Sequence, residues 1–555
     1  GATLRGSVCV DGVPVADLAE TLAYVRQEDL FFSQLTVQET LDVAARMRLP
    51  KEMPIAEKRR FVDALMRELG LLTVSTSRVG DEKTRGISGG EKKRLSLGCE
   101  LVSTPRLILC DEPTSGLDAF QADKVMESLR ALARQGHTVV CSVHQPSSKI
   151  FKLCDDLVLL AGGRRVGFPM PHQSNPAELY LDLISVDFST DDTAAASEKR
   201  IDTLVAASNA VAASANRVAT LRATFDDAAR QPLEDGDGEK PFAAPPKRLG
   251  AFGQVRVLLQ RAWRQITRDK KTNMSRFMSA LMSALLFGAI YWRIGFKQTT
   301  IQDRLGLLQV CTINSAMTAL VKTLNVFPRE SVIVNRERAR GSYSVLQYFV
   351  SKLIAEMPVS AFFPLVFSCT VYPMVGLSGG LNRILRFLGI ITLESFTAAS
   401  YGLVIGALVP STEAALAVGP SSFVLQIVFG GLYITDENVP AWASWIPRVS
   451  LIKHAYEALC VNEFRGIEFE AKESWDVRTG EQVLQRMTWG ESTVSKACLR
   501  LSKILAFNYL ATYAILTLKK PKFEKLQPVL VEDDETPPPQ ANGPTSALST
   551  TPVVT

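Results

Sequence analysis

The sequence predicts an α/β domain followed by an all-helical domain of six membrane-spanning helices, and three observations predict it. Short Val/Ile/Leu-rich runs alternate with helical stretches up to about residue 185, the pattern of a sheet with crossover helices. Over residues 186–250 the character shifts to Asp-, Ala- and Pro-rich segments, which read as a mobile linker with one or two helices. From residue 251 to about residue 520 six long apolar runs succeed one another, more than a soluble helical core usually offers. With 46% hydrophobic residues and a mean hydropathy of +0.10, the chain reads as part soluble and part membrane.

The 62 basic and 57 acidic residues leave a net charge of +5, and no domain is strongly basic, so there is no nucleic-acid footprint. Nine cysteines have no short paired spacing, which speaks against structural zinc or a redox dithiol. The chain starts on Gly1 and enters the strand-and-turn pattern "GSVCVDGVPV" at once. With no signal or transit sequence ahead of it, it reads as a fragment truncated upstream.

In the soluble part, "LILCDEPTSGLDAF" at 107–120 ends an apolar strand on two carboxylates. Such an ending suits a site where Asp111 holds Mg²⁺, directly or through water, and Glu112 polarises the water that attacks a γ-phosphate. Alone, such a pair is more often an exposed strand end. Upstream, "ISGGEKKRLSLGCEL" at 87–101 places Ser88, Gly89 and Gly90 at the opening of a helix, where backbone N–H groups and the helix dipole face any phosphate. "SGLD" at 115–118 follows the carboxylates, and His144 ends the run "TVVCSVH", positioned for the same γ-phosphate or for a structural role. Gln27, in "YVRQEDLFFSQLTVQETL", sits at a strand end from which an amide could reach the metal or the attacking water.

The six apolar runs are 277–292, 305–321, 357–382, 387–412, 414–435 and 504–518, the fourth broken by Glu394 alone. Some fall short of the roughly 20 residues a bilayer requires, a gap that flanking residues and snorkelling Lys or Arg can close. Basic clusters at 256–276, at 329–340 and at Lys519, Lys520, Lys522 and Lys525 all fall on one side, which the positive-inside rule makes the cytosolic side. The stretch 436–503 is then external, with Trp442 and Trp445 as interfacial anchors, and Cys460 and Cys498 could pair there. Phe252, Val255, Leu259, Ala262, Trp263 and Ile266 recur at helical spacing, with Arg256, Arg261, Arg264 and Arg268 largely outside that stripe. This reads as a helix lying on the inner membrane surface, though a soluble amphipathic helix gives the same pattern. Glu394 and Lys322 are costly in hydrocarbon and are candidates for function or for helix packing.

Together and in this order, these motifs resemble the ATP-binding-cassette ATPase, with Gln27 in its Q-loop, Ser88, Gly89, Gly90 and Glu91 in its signature, Asp111 and Glu112 as Walker B and its glutamate, Asp118 in its D-loop and His144 as its switch. The cassette ahead of the spans, "FPRESVIVNRERARGSYS" after the second span, "NVPAWASWIPRVSLIKHAYEALCVNEF" outside and "HQPSS" after the switch resemble a half-size transporter of the G (White-type) subfamily, of plant type. The resemblance runs from Gly6 to about Leu526 and implies a plant or algal source. It implies a partial P-loop-type α/β ABC nucleotide-binding domain over 1–185, a linker over 186–250, an ABC-2 type transmembrane domain over 251–520 with a connecting helix at 252–268, and a disordered tail over 521–555.

The same resemblance implies ATP and Mg²⁺ as cofactors. Asp111 and Gln27 would serve the metal, Glu112 and His144 catalysis, and Gln27, Ser88, Gly89, Gly90, Glu91 and Asp118 the nucleotide. Its implied partners are a second half-transporter, alike or different, membrane lipids and a lipophilic substrate, in the plasma membrane or the plastid envelope. "NRERARG" at 335–341 would lie where the family's coupling helix meets the cassette. The family's phosphate loop, G-x-x-x-x-G-K-[ST], occurs nowhere in the sequence and is expected ahead of Gly1. A catalytically silent subunit of a heterodimer is the rival reading, against which the intact Glu112 and His144 argue. A soluble cassette is excluded by the spans.

Overall fold

The computed structural model describes residues 9–10, 13–14, 22–81, 84–144, 146–156, 159–161, 164–166, 184, 191–214, 249–434, 438–470 and 476–519. The linker segment 215–248, the tail 521–555, Gln145 of "HQPSS" and Lys520, Lys522 and Lys525 lie outside the described residues. The chain divides into a small unit, Gly1–Ala19 with Lys522–Thr555, and a large one, Glu20–Pro521. The small unit shows the hairpin expected from its alternating pattern, β1 (Cys9–Val10) paired antiparallel with β2 (Val13–Pro14).

The large unit begins with a three-stranded parallel sheet in the order β3 (Leu22–Val25), β4 (Leu107–Asp111), β5 (Thr138–Ser142). Parallel neighbours require crossovers, and helices supply them: α1 (Val37–Arg48), α2 (Ile55–Glu68) and α3 (Gly89–Leu101) between β3 and β4, and α4 (Ala119–Arg134) between β4 and β5. Each helix starts for a local reason. Thr36 and Glu39 form a capping box at α1, Ser88 and Glu91 another at α3, and the Asp118 side chain caps α4, each satisfying orphan N–H groups of a first turn. On α4 the buried Ala122, Val125, Met126, Leu129 and Leu132 follow the helical period. They join Val37, Leu41, Val62, Met66, Leu95 and Ile108 in one core. Beyond the sheet come α5 (Ser148–Phe151), the antiparallel pair β6 (Leu159–Ala161) and β7 (Arg164–Val166), and α6 (Asp191–Ser214) in the Ala-rich stretch.

The second half is helical: α7 (Ala251–Arg268), α8 (Lys270–Ile290), α9 (Gln298–Ala339), α10 (Val345–Val375), α11 (Leu381–Leu408), α12 (Thr412–Val428), α13 (Ile446–Val449), α14 (Leu451–Phe464), α15 (Gly480–Arg486) and α16 (Val494–Leu518). Five of them, α8, α9, α10, α11 and α16, are long and apolar enough to cross a membrane. The fifth apolar run forms α12, which at 17 residues is shorter than these five.

Helix ends depart from the apolar runs, and side-chain pairing is the reason. The second run, 305–321, becomes the 42-residue α9, which continues through Pro328 into "NRERA". The third starts twelve residues early, at Val345, because Lys352 is not left unpaired: it contacts Glu330 of α9 and bonds Glu356 one turn on, at 2.9 Å. Glu356 also takes Lys322 at 3.2 Å, so Lys322 packs helices together rather than standing alone in hydrocarbon. That helix ends at Gly376, whose φ of +68° suits glycine. Glu394 is 0% exposed and its carboxylate oxygens meet no hydrogen-bond partner among the described residues.

The stretch read as external is not a surface loop throughout. All of α14 is buried, packed beside α9, α11 and α16. Its charges are matched: Glu463 contacts Arg304 and accepts from the Ser378 N–H at 3.1 Å, and Glu457 takes Arg500 at 3.1 Å, as burial demands. Trp442 and Trp445 are exposed, as expected. Cys460 and Cys498 carry free thiols.

Candidate active site

Three neighbouring strands bring the motif residues to one edge. Val25, Cys110 and Cys141 lie in register, so the chain leaves β3 towards Gln27, β4 at Asp111 and Glu112, and β5 towards His144, all at the carboxyl ends of the strands, where open α/β sheets place their ligands. The Gln27 amide donates to Glu112 Oε2 at 2.7 Å. Ser142, opposite Asp111 in the register, donates from its hydroxyl to Asp111 Oδ1 at 2.9 Å and accepts from the Glu112 N–H at 2.9 Å. The Tyr24 hydroxyl holds the other Asp111 oxygen at 3.0 Å. Partial burial, then the bond to the Asp111 carboxylate and its charge, raise the Tyr24 phenol above its usual range. His144 is exposed at the end of the third strand.

Glu112 adopts a φ of +44°, a left-handed conformation that costs a residue with a Cβ about 1–3 kcal/mol. The bonds to Ser142 and Gln27 at its two ends hold it there. This turn swings the Glu112 side chain off the line of the strand and over towards Gln27.

The signature residues open α3 beside the D-loop. Ser88 Oγ accepts from the Glu91 N–H at 3.4 Å while Glu91 Oε2 accepts from the Ser88 N–H at 2.8 Å, so Ser88 and Glu91 cap each other. The first-turn N–H groups of Gly89 and Gly90 have no carbonyl within the helix to meet. The glycines have a second reason to be there: a Cβ on Gly89 would approach Leu117 to 3.1 Å, and one on Gly90 would meet the Gln121 side chain at 2.3 Å. Asp118 Oδ1 accepts from the Gln121 N–H at 2.9 Å, which makes its observed contact a helix cap.

Lys93, which sequence reasoning passed over, ties this helix to the first strand. Its ammonium donates to the carbonyls of Gln27 at 2.7 Å and Arg26 at 3.2 Å, and pairs with Asp29 at 3.2 Å. Tyr24 and Ser142 were missed as well, and nothing in their types marks them; only the register of parallel strands does.

For Mg²⁺ the strand edge offers the Asp111 carboxylate, with Gln27 bonded through its amide nitrogen to the neighbouring Glu112. Hard oxygens in that number fit an ion that keeps several waters and takes its remaining ligands from phosphates. Among the described residues no group of three or more His, Cys, Asp or Glu side chains could hold a metal alone.

The strand edge connects directly to the helical half. Arg340, at the end of α9, donates to the Tyr24 carbonyl at 3.0 Å and contacts Glu100 of α3. Arg336 donates to Ser96 Oγ at 3.0 Å and to the Glu28 carbonyl at 3.4 Å. The connecting helix α7 docks too: Arg268 pairs with Glu39 at 2.6 Å, and the Gln265 side chain accepts from the Gln34 N–H at 3.1 Å. One expectation is corrected here. Arg261, read as lying outside the apolar stripe, is 4% exposed, whereas Phe252 and Trp263 of the stripe are 85% and 45% exposed. Arg261 is drawn in by Glu337, at 2.7 and 2.8 Å, by Tyr343 and by the Phe32 ring at 4.3 Å, enough partners to make burying a guanidinium tolerable.

Comparison with known proteins agrees with this division of labour. A family described as ABC transporter matches residues 3–115, and one described as ABC-2 type transporter matches residues 253–464. ABC transporter G family member 7 of Arabidopsis thaliana is 47% identical over 96% of this chain and 75% of its own length. Protein white of Drosophila melanogaster is 31% identical over 83% of the chain and 68% of its own length. The rat broad substrate specificity ATP-binding cassette transporter ABCG2 is 30% identical over 93% and 84%. An ATPase-type cassette whose strand edge is bonded to the end of a membrane helix thus matches on both halves, and the chain belongs to the ABC transporters as a half-size member of the G family.

Proposed function

We propose that the protein is the motor and channel half of a dimeric exporter that uses ATP hydrolysis to move a lipophilic small molecule or lipid across a membrane, the plasma membrane or the plastid envelope. The observation that carries the reading is the bonded set Gln27, Glu112, Asp111 and Ser142 at the ends of three adjacent strands. In it Glu112 is the general base, polarising the attacking water, and His144 steadies the γ-phosphate side. Asp111 and Gln27 hold Mg²⁺, which when bound neutralises charge on the phosphates.

Ser88, Gly89, Gly90, Glu91 and Asp118 form the face offered to nucleotide held by a second half-transporter. The cassette occupies 1–185, the linker 186–250, the membrane domain 251–520 and the tail 521–555, with the cassette on the cytosolic side because the basic clusters flank it. Phe252 and Trp263 rest α7 on the inner membrane surface. That the cargo is lipophilic is supported by kinship with the G family alone.

The experiment is Glu112→Gln in the full-length protein. The amide keeps the shape and the Gln27 contact but is no base, so ATP binding should persist while turnover falls roughly 10²–10⁴-fold. Turnover within about twofold of wild type, far below the loss that removal of a base causes, would mean that Glu112 is not the base.

A further inference from the structure

The Gln27 amide reaches Glu112 from a stretch that has no regular structure of its own. Residues 26–32 form neither helix nor strand, and Gln27 itself is exposed. Fixing such a segment costs backbone and rotamer freedom, so the 2.7 Å bond from Gln27 to Glu112 Oε2 depends on whatever holds the segment still. Cations hold it by its carbonyls. Arg340 donates to Tyr24 at 3.0 Å, Arg336 to Glu28 at 3.4 Å, and Lys93 to Arg26 at 3.2 Å and to Gln27 at 2.7 Å.

Lys93 differs from the two arginines in where its bonds go. Arg336 also donates to Ser96, and Arg340 also contacts Glu100. Lys93 is 2% exposed, and an ammonium has three N–H donors. Their three acceptors are the carbonyls of Arg26 and Gln27 and the Asp29 carboxylate, at 3.2 Å. A buried ammonium is tolerated only when it is matched, and here the whole match comes from residues 26–29.

We propose that Lys93 is a positioning residue for hydrolysis, holding the carbonyls of Arg26 and Gln27 from the second turn of α3 and so keeping the Gln27 amide on Glu112. The proposal rests on the reading of Glu112 as the base. It also separates Lys93 from the opening of its own helix: Ser88, Gly89 and Gly90 face the partner's nucleotide on that reading, whereas Lys93, in the next turn, acts on Glu112 of its own chain.

The test is a double-mutant cycle in the full-length transporter in phosphatidylcholine vesicles, with kcat and KM taken from phosphate release from radiolabelled ATP, which reads turnover far below wild type. Lys93→Met should lower kcat about tenfold, in line with the loss of a hydrogen bond to a charged group, and leave KM near wild type. Gln27→Ala removes the amide through which Lys93 acts, so Lys93→Met added to Gln27→Ala should cost nothing more. Losses that multiply in the double variant would overturn the proposal, because Lys93 would then support α3 rather than Gln27. So would an unchanged kcat in Lys93→Met, or a loss carried by KM. Should Lys93→Met melt early, the cycle is repeated on Asp29→Asn, where no carboxylate is left without its cation, and the same outcomes decide. Glu112→Gln, measured alongside, keeps the two failures apart: its full turnover would overturn the reading of the base, whereas multiplying losses beside an inactive Glu112→Gln would overturn the role of Lys93 alone.

Discussion

Asp111 is gripped from both sides before any nucleotide arrives, by Tyr24 at 3.0 Å and Ser142 at 2.9 Å. Its own rotation is therefore restricted, and on the proposed reading the carboxylate is held in one orientation for Mg²⁺, the usual work of groups bonded to metal ligands. Removing one such group typically costs 10- to 100-fold in metal affinity. Tyr24→Phe keeps the ring and removes only that bond, so the Mg²⁺ concentration for half-maximal ATPase should rise about tenfold while turnover at saturating Mg²⁺ stays near wild type. A titration curve that does not move would reduce Tyr24 to a packing group. The carboxylates themselves were legible in the sequence because an apolar strand that stops on Asp-Glu leaves little else for them to do beside a glycine-opened helix. Their supports were not. A tyrosine and a serine in strands are ordinary residues until parallel pairing sets Ser142 opposite Asp111. The same holds for Gly90, whose closeness to Gln121 is invisible without the neighbouring helix.

Helices join the two halves, and here the charge pattern misled as much as it informed. The apolar run 305–321 located α9, but not its 42-residue length, since the charged turns beyond it are held by partners on other elements, Arg336 by Ser96 and Arg340 by Glu100. Arg261 was misplaced for the same reason. The α7 anchor is a checkable case. Burial works against ionisation of Glu39, yet bonds from Arg268 and the Thr36 N–H, with the charges of Arg268 and Arg264, hold its carboxyl below the usual range. A depressed carboxyl contributes stability above its unfolded value, near 4.3 for Glu, and loses it as pH falls through the folded value. Hydrogen exchange at 34–39 and 265–268, corrected for intrinsic rates, should thus stay level from about pH 8 to 5, a window above that unfolded value. Glu39→Gln should raise it at neutral pH, by the several-fold that a pair worth about 1 kcal/mol or less allows, Arg268 being a third exposed. Unchanged exchange in Glu39→Gln would mean that Gln265 and the apolar contacts dock α7 without the ion pair.

A single chain, on the proposed reading, holds two unlike half-sites: a strand edge with Glu112 that acts on its own nucleotide, and an α3 opening that acts on its partner's. Two lesions therefore have to behave differently when placed on one chain or on two. Ser88→Arg puts bulk and charge where the first-turn N–H groups of Gly89 and Gly90 would approach phosphate, and Glu112→Gln removes the base. In a homodimer of either variant both composite sites carry a lesion, so ATPase should fall by roughly the 10²–10⁴-fold expected from loss of a catalytic group. In a mixed dimer of the two, isolated through two different tags, both lesions fall in one site and the other is intact. If one site can turn over alone, activity near half of wild type returns. Full activity in the all-Ser88→Arg dimer would rule out the cross-subunit role of α3. A silent mixed dimer beside two silent homodimers would mean either that α3 serves its own subunit's nucleotide, so that each site carries one lesion, or that both sites must close together.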